Sequence, residues 1–343
     1  MVRNMAHEFL GAAVDLASLL KPGTSVADSG CDALWSRMVE LGWPGLIIPE
    51  ALGGAGMSTL EAALIATEMG RALGSAPLFG SYAATWALLK AGSSEQQQRL
   101  FPQIATGTIR MALVGGPDRV VAAPDGRLSG EIPIVVDASG ADQLVVVTGR
   151  GEFWLIDASH AEIERLAWRD ITRDVCRVRL TDVAAERLPH GNAAAWRWVR
   201  DRLWLMLAAE SAGGLQATLD ATVAYAKERI AFGKPIGAFQ AIKHQLADMK
   251  GQAEAVAVAV LYAGWALSAE DSRAPLAAAM AQAAASEAYR DATFRSIQIF
   301  GAIGFTWEMR NHLYFKRARA NAELLGSPAV QREAVIAFLE GAA

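Results

Sequence analysis

Residues Tyr225–Met249 read YAKERIAFGKPIGAFQAIKHQLADM. A helical run stops near Arg229, the chain passes through Gly233, Pro235 and Gly237, and a second helical run restarts near Gln240. Glycine and proline at this spacing break a helix, and here they break it between two long stretches of helical periodicity. Arg229 stands at the end of one helix and Gln240 in the first turn of the next. A guanidinium, an amide and free helix N–H groups therefore meet at one corner, which suits an anionic, hydrogen-bonding ligand. The same residues also fit a structural role, with Arg229 complementing the helix dipole and Gln240 closing the loop.

Working outward, the C-terminal part is helical throughout, in Ala/Leu-rich runs over Ala195–Glu228, Ala238–Leu267, Ala274–Phe300 and Met309–Leu325. Four such segments are the number and length of an up-and-down bundle. Within the second run, AVAVAVLYAGWAL (255–267) is apolar on every side and reads as a buried helix, too short to cross a bilayer. Upstream, from about residue 107, the period changes to short β-branched or alternating runs: RMALVGG, RLSGEIPIVVD, DQLVVVTG, EFWLID and CRVRLTDV, separated by glycine-containing turns. Before that the pattern is helical again, over Asp32–Leu41, Thr59–Leu73, Tyr82–Lys90 and Ser94–Ile104. Ser58 with Glu61, and Ser93 or Ser94, supply helix starts, while LIIPEALGGAGMS (46–58) is a loop. The layout is multidomain α+β, mainly α: an N-terminal helical domain (1–106), a middle β domain (107–192) and a C-terminal helical bundle (193–343).

Composition agrees with a large globular core. The 343 residues are 52% hydrophobic and 20% charged, and this high apolar share suggests surface covered by a partner. A formal net charge of −4 leaves no basic footprint for nucleic acid. Cys31 and Cys176 allow no disulfide framework, which fits a reducing cytoplasm. The first twenty residues, broken by Glu8 and Asp15, read as an amphipathic helix, and no span of membrane length occurs. The five histidines lack metal-ligand spacing, the glycines at 53, 54 and 56 lack the Lys-Ser/Thr ending of a phosphate loop, and there is no GxSxG elbow. The basic run Arg310, Lys316, Arg317, Arg319 reads first as a solvated or subunit-facing surface and second as a contact for the phosphates of CoA.

The opening stretch resembles the YAxxRxxFGxxI…QAIxxxLADM signature of acyl-CoA dehydrogenases. QIFGAIGFTWEMRNHLYFKRARANAELLGSP (298–328) is similar to that family's QxxGGxGxxxE…RDA…EGT region, and residues 40–73 resemble its N-terminal domain. The resemblance implies a helical domain, a middle β-barrel, a C-terminal four-helix bundle and FAD. It implies that Arg229 holds the pyrophosphate, that Phe232 packs on the adenosine side, and that Gln240, Gln298 and the turn with Gly301 and Gly304 meet the adenine end of an FAD bound mainly by a neighbouring subunit. Ala302 replaces the second glycine of that turn.

Two departures accompany the match. Family chemistry needs a carboxylate to take the α-proton while a hydride leaves the β-carbon, and the usual position of that glutamate is occupied by Leu325. The alternative position on the first long helix falls at or near Leu203, which is also apolar. The TEPxAGSD-like loop and WIT-like strand are replaced by LVGGPDRVVAAPDG (113–126) and LSGEIPIVVDASGADQLVVV (128–147). The resemblance then implies a base-lacking subunit, similar to the small subunit of heterotetrameric acyl-CoA dehydrogenases. Such a subunit completes the FAD site of a larger catalytic chain that acts on an acyl-CoA and passes electrons to an acceptor flavoprotein. Two other readings stand beside it: a homo-oligomeric enzyme with Asp201, Glu210 or Glu308 as a relocated base, and a non-catalytic scaffold of the same fold.

Overall fold

The computed structural model describes residues 2–21, 23, 24, 31–115 and 119–341. Five helices come first: α1 (Val2–Ala13), α2 (Cys31–Glu40), α3 (Thr59–Ala72), α4 (Leu78–Ala91) and α5 (Ser94–Ala105). The two serine starts expected from the sequence are capping boxes. Ser58 Oγ accepts from the Leu60 N–H while Glu61 reaches back to the Ser58 N–H, and Ser93 does the same with Gln96. In the intervening loop Gly54 lies against backbone, since a Cβ there would sit 2.1 Å from the Ile48 carbonyl oxygen.

Eight strands follow: β1 (Met111–Gly115), β2 (Val120–Ala122), β3 (Arg127–Val136), β4 (Gln143–Val147), β5 (Phe153–Asp157), β6 (Glu162–Arg165), β7 (Val175–Ala184) and β8 (Glu186–Leu188). The closed barrel expected for this region is not formed among the described residues. The strands make two four-stranded sheets, β1-β4-β5-β8 and β2-β3-β7-β6. The physical reason is visible in their faces. Alternate residues of the first sheet, Ala112, Val114, Leu144, Val146 and Ile156, pack on Leu128, Ile132, Val178 and Leu180 of the second. The intervening ones, Met111, Val145, Val147, Phe153 and Leu155, belong to the helical core with α4. One sheet is thus buried on both faces, and the other turns outward a ladder of Arg177 and Arg179 with Glu131, Glu162 and Glu164.

The C-terminal part holds α6 (Ala193–Glu228), α7 (Gln240–Ser268), α8 (Ala274–Phe300) and α9 (Asn311–Glu323), which pack as the expected bundle. An unanticipated fifth helix, α10 (Pro328–Leu339), packs on α8. Asn192 caps α6 by accepting from the Ala195 N–H at 2.9 Å. The N-terminal helices join the bundle where α3 meets α6 backbone to backbone: a Cβ on Gly70 would lie 1.9 Å from the Glu210 carbonyl oxygen, and one on Gly213 would lie 1.7 Å from that of Thr67. No described helix is long and apolar enough to cross a membrane.

Candidate functional site

The corner read first in the sequence is a projecting arm. Arg229 caps α6, its N–H donating to the Tyr225 carbonyl and its own carbonyl accepting from the Ile236 N–H at 2.8 Å. Between them β9 (Ile230–Ala231) and β10 (Lys234–Pro235) pair antiparallel around Phe232 and Gly233, whose φ values are +51° and +79°. Two left-handed residues make the tightest hairpin turn, and a bulky side chain is strained there. The Phe232 ring is nonetheless 94% exposed, meeting only the edge of Phe239 at 6.2 Å. Among the described residues, no packing contact accounts for a strained turn that holds an aromatic ring in water.

The rest of the corner assembles around this arm. Tyr225 of α6 stacks on Phe300 of α8 with ring centroids 4.0 Å apart, which clamps the two helix ends together. α7 starts at Gln240 beside them, with no side-chain cap on its first N–H groups. Gly301 adopts φ +70°, ψ −149°, a region only glycine enters readily. The structure therefore brings Arg229, Phe232, Gln240, Gln298 and Gly301 to one end of the bundle, all exposed. Gly304 differs: it is buried, and a Cβ there would lie 3.0 Å from Phe300 Cβ, so its role is close packing of the turn. Ala302 is exposed. Among the described residues, the side chains of Arg229, Gln240 and Gln298 have no hydrogen-bond or ion-pair partner. A guanidinium and two amides facing solvent around free helix N–H groups fit a phosphate-bearing ligand.

The region around Leu325 is closely packed. Leu325, with φ +59°, directs its carbonyl at Trp204 Nε1, which donates to it at 3.1 Å. Trp204 is 1% exposed, and the Arg200 guanidinium stacks on it at 4.1 Å while donating to Asp201 Oδ1 at 2.8 Å. Val136, at the end of β3, forms an apolar cluster with Leu207 and Leu324, and Phe79 and Leu325 pack against it. The end of β3 and the loop at Leu325 thus touch each other. The space lined by Met69, Phe79, Asp137, Arg173, Glu210 and Arg317 is about 20 Å³, room for roughly one water. Residues 116–118 of the replaced flavin loop lie outside the described residues.

The carboxylates considered as relocated bases are also placed. Glu210 is buried and held by Arg173, with Arg317 Nη1 at 3.6 Å and Asn321 Nδ2 at 3.4 Å. Arg317 in turn binds Asp170 at 2.8 Å. Asp201 is buried against Arg200; burial raises its pKa and Arg200 opposes the rise. Glu308 is exposed. Sequence reasoning missed Asp137, which follows β3 at φ +61° and accepts from the Gly80 N–H at 2.9 Å. Burial pushes its pKa up to about 7, against the pull of the Gly80 N–H and Arg173. An acidic residue ending an apolar strand was the available signal.

Helices, paired sheets and a long bundle ending in an exposed arm define an architecture shared with known flavoenzymes. The family model described as acyl-CoA dehydrogenase, N-terminal domain, matches residues 1–108, and the model for the C-terminal domain matches residues 198–339. The chain belongs to the acyl-CoA dehydrogenase family, whose members are FAD flavoproteins. It is 37% identical over 306 residues to acyl-CoA dehydrogenase IpdE2 of Mycobacterium tuberculosis, covering 88% of this chain and 85% of that one. It is also 30% identical over 341 residues to acyl-CoA dehydrogenase FadE34 of the same organism, covering 95% of this chain and 45% of the relative. Among solved structures, a variant of the Tcur3481-Tcur3483 steroid acyl-CoA dehydrogenase superposes with TM-score 0.87 at 28% identity, over 99% of this chain and 97% of the other. The ChsE4-ChsE5 complex of Mycobacterium tuberculosis shares the fold with TM-score 0.87 at 24% identity, over 99% of this chain and 96% of the other.

Proposed function

We propose that this chain is the flavin-completing subunit of a heteromeric acyl-CoA dehydrogenase and that it carries no catalytic base of its own. The reading is supported by the contrast between an arm whose Arg229, Gln240 and Gln298 side chains have no hydrogen-bond or ion-pair partner among the described residues and the closely packed region of Val136, Leu207, Leu324, Leu325 and Trp204, which we read as the place of the substrate. The two-chain names of the Tcur3481-Tcur3483 and ChsE4-ChsE5 proteins support the same arrangement, and the first supports a steroid-type acyl-CoA as substrate.

In this reading Arg229 neutralises the pyrophosphate of an FAD seated in the larger chain, and Phe232 covers its adenosine side. Gln240, Gln298 and the Gly301 turn hydrogen-bond the adenine end. When bound, the flavin supplies the hydride acceptor, and the larger chain supplies the carboxylate that takes the α-proton. This chain's contribution is binding and orientation, and its units 1–106 and 107–192 serve to hold the bundle in the assembly. The electron acceptor is a second flavoprotein, and the compartment is the cytoplasm.

The test is spectroscopic. The chain purified alone should show no flavin absorbance, and the chain co-expressed with a larger acyl-CoA dehydrogenase chain should carry FAD. Arg229→Ala removes a charge-assisted phosphate contact of about 2 kcal/mol, so flavin affinity in the pair should fall roughly 30-fold while the circular dichroism spectrum is unchanged. A yellow isolated chain bleached by acyl-CoA, or full flavin content in the Arg229→Ala pair, overturns the reading.

A further inference from the structure

We propose that the space enclosed by α1, the 3₁₀ turn Leu16–Leu20, α3 and the start of α9 is a ligand site, and that it takes a small carboxylate with an apolar body. The proposal does not depend on the flavin reading. The site is built from helix faces, whose residues recur at spacings of three and four. His7, Leu10, Gly11 and Val14 share one face of α1, and Glu68, Arg71 and Ala72 share one face of α3. Arg310 and Tyr314 stand one turn apart at the start of α9. Helices that meet along such faces ordinarily fill the space between them with side chains. Here Gly11 leaves it open: a Cβ at this position would meet nothing within 4 Å. The space measures about 400 Å³, the size of a small-molecule site, against about 20 Å³ beside Asp137.

The class of ligand follows from the lining. Leu10, Val14, Leu16 and Leu20 supply an apolar wall. The polar side is set by a tie between two helices: Tyr314 Oη donates to the Arg71 carbonyl at 2.7 Å, which fixes α9 against α3. Burial raises the Tyr314 hydroxyl above its ordinary pKa, and the charges of Arg310 and Arg71 oppose the rise, so both guanidiniums stand near this one hydroxyl. The acidic groups of the lining are already engaged. Glu68, 2% exposed, meets Arg3 Nε and His7 Nδ1 at 2.8 Å each, and Asp15 caps the 3₁₀ turn by accepting from the Ala17 N–H at 2.9 Å. Arg71 pairs with Asp220 at 2.7 Å, whereas Arg310 has no ion-pair partner among the described residues. The guanidinium of Arg310 beside an apolar wall is matched by one carboxylate on an apolar body. A dianionic phosphate would bring a second charge toward Asp15 and Glu68, where it is repelled.

The experiment titrates the full chain, purified alone, with octanoate by calorimetry, and compares 1-octanol and octyl phosphate, which carry the same apolar body. Octanoate should bind at one site per chain and more tightly than either. Gly11→Leu puts a side chain into the open space without a clash, so it should abolish octanoate binding while the circular dichroism spectrum is retained. Arg310→Met removes the charge and keeps an apolar stem, so octanoate affinity should fall roughly 10-fold or more, toward that of octanol. Bound octanoate joins α1 to α9, so it should also raise the thermal midpoint of the parent chain and leave that of Gly11→Leu unchanged. Absence of saturable octanoate binding, or unchanged binding in Gly11→Leu, overturns the site. Octanol or octyl phosphate bound as tightly as octanoate, or unchanged affinity in Arg310→Met, overturns the carboxylate.

Discussion

At the scale of single residues, Asp137 offers a pH signature. Its carboxyl is raised to about 7 in the fold by burial, against 3.8 for an unperturbed group. Below about pH 4 it is protonated folded or unfolded, and its contribution to stability is complete. As pH rises from there the unfolded chain releases the proton first, so stability is lost progressively until the folded group also ionises near pH 7. Asp137→Asn keeps an acceptor for the Gly80 N–H and cannot ionise. Urea midpoints measured from pH 4 to pH 8 should therefore fall less steeply in the variant, which should be the more stable protein at pH 8. The neighbouring ion pairs are buried. Removing one partner strands the others, so Arg317→Met, which leaves Asp170 and part of the Glu210 demand unmet, should cost about 3–5 kcal/mol in the same assay.

At the scale of elements, the crossing of α3 and α6 rests on two glycines whose missing side chains let backbones touch. Gly213→Ala places a methyl within the Thr67 carbonyl, and the expected loss is about 3 kcal/mol or more by thermal denaturation. Gly11→Ala in α1, where nothing lies within 4 Å of the new Cβ, should instead stabilise by about 0.5–1 kcal/mol. Helices were the most legible part of the sequence, because their signals are local. The Ser58/Glu61 box and the run Ala274–Phe300 correspond to the observed α3 start and α8 bounds. The helix α10 had a start signal in Ser327-Pro328, but its exposed Val330, Ile336 and Leu339 blur the amphipathic pattern. Arg229, Phe232 and Gln240 share one short stretch, so their meeting at a corner was legible from helix ends and breakers, whereas their cofactor roles came from the resemblance. The closed cluster was not legible, because Phe79, Val136, Leu207 and Leu324 meet only through tertiary packing. The strand periodicity gave a small all-β unit and the barrel came from the resemblance; that the strands form two sheets was not legible, because which strands pair at the edges is not a property of any one strand.

At the scale of the whole molecule, the bundle presents two unlike exposed regions. The arm end is polar and built from helix termini, and it holds Phe232 94% exposed on a left-handed turn. The outer face of α7 is apolar, with Val258, Leu261, Tyr262 and Trp265 exposed where the all-apolar run 255–267 predicts burial. On the proposed function the arm meets a cofactor held by a larger chain, so the Phe232 ring should contribute to the assembly and not to the isolated fold. Phe232→Ala should therefore leave the thermal midpoint of the isolated chain unchanged and lower the flavin absorbance of its pair with the larger chain. A lowered midpoint in the isolated chain would mean that the ring is structural, and full flavin content in the variant pair would mean that the ring does not reach the cofactor.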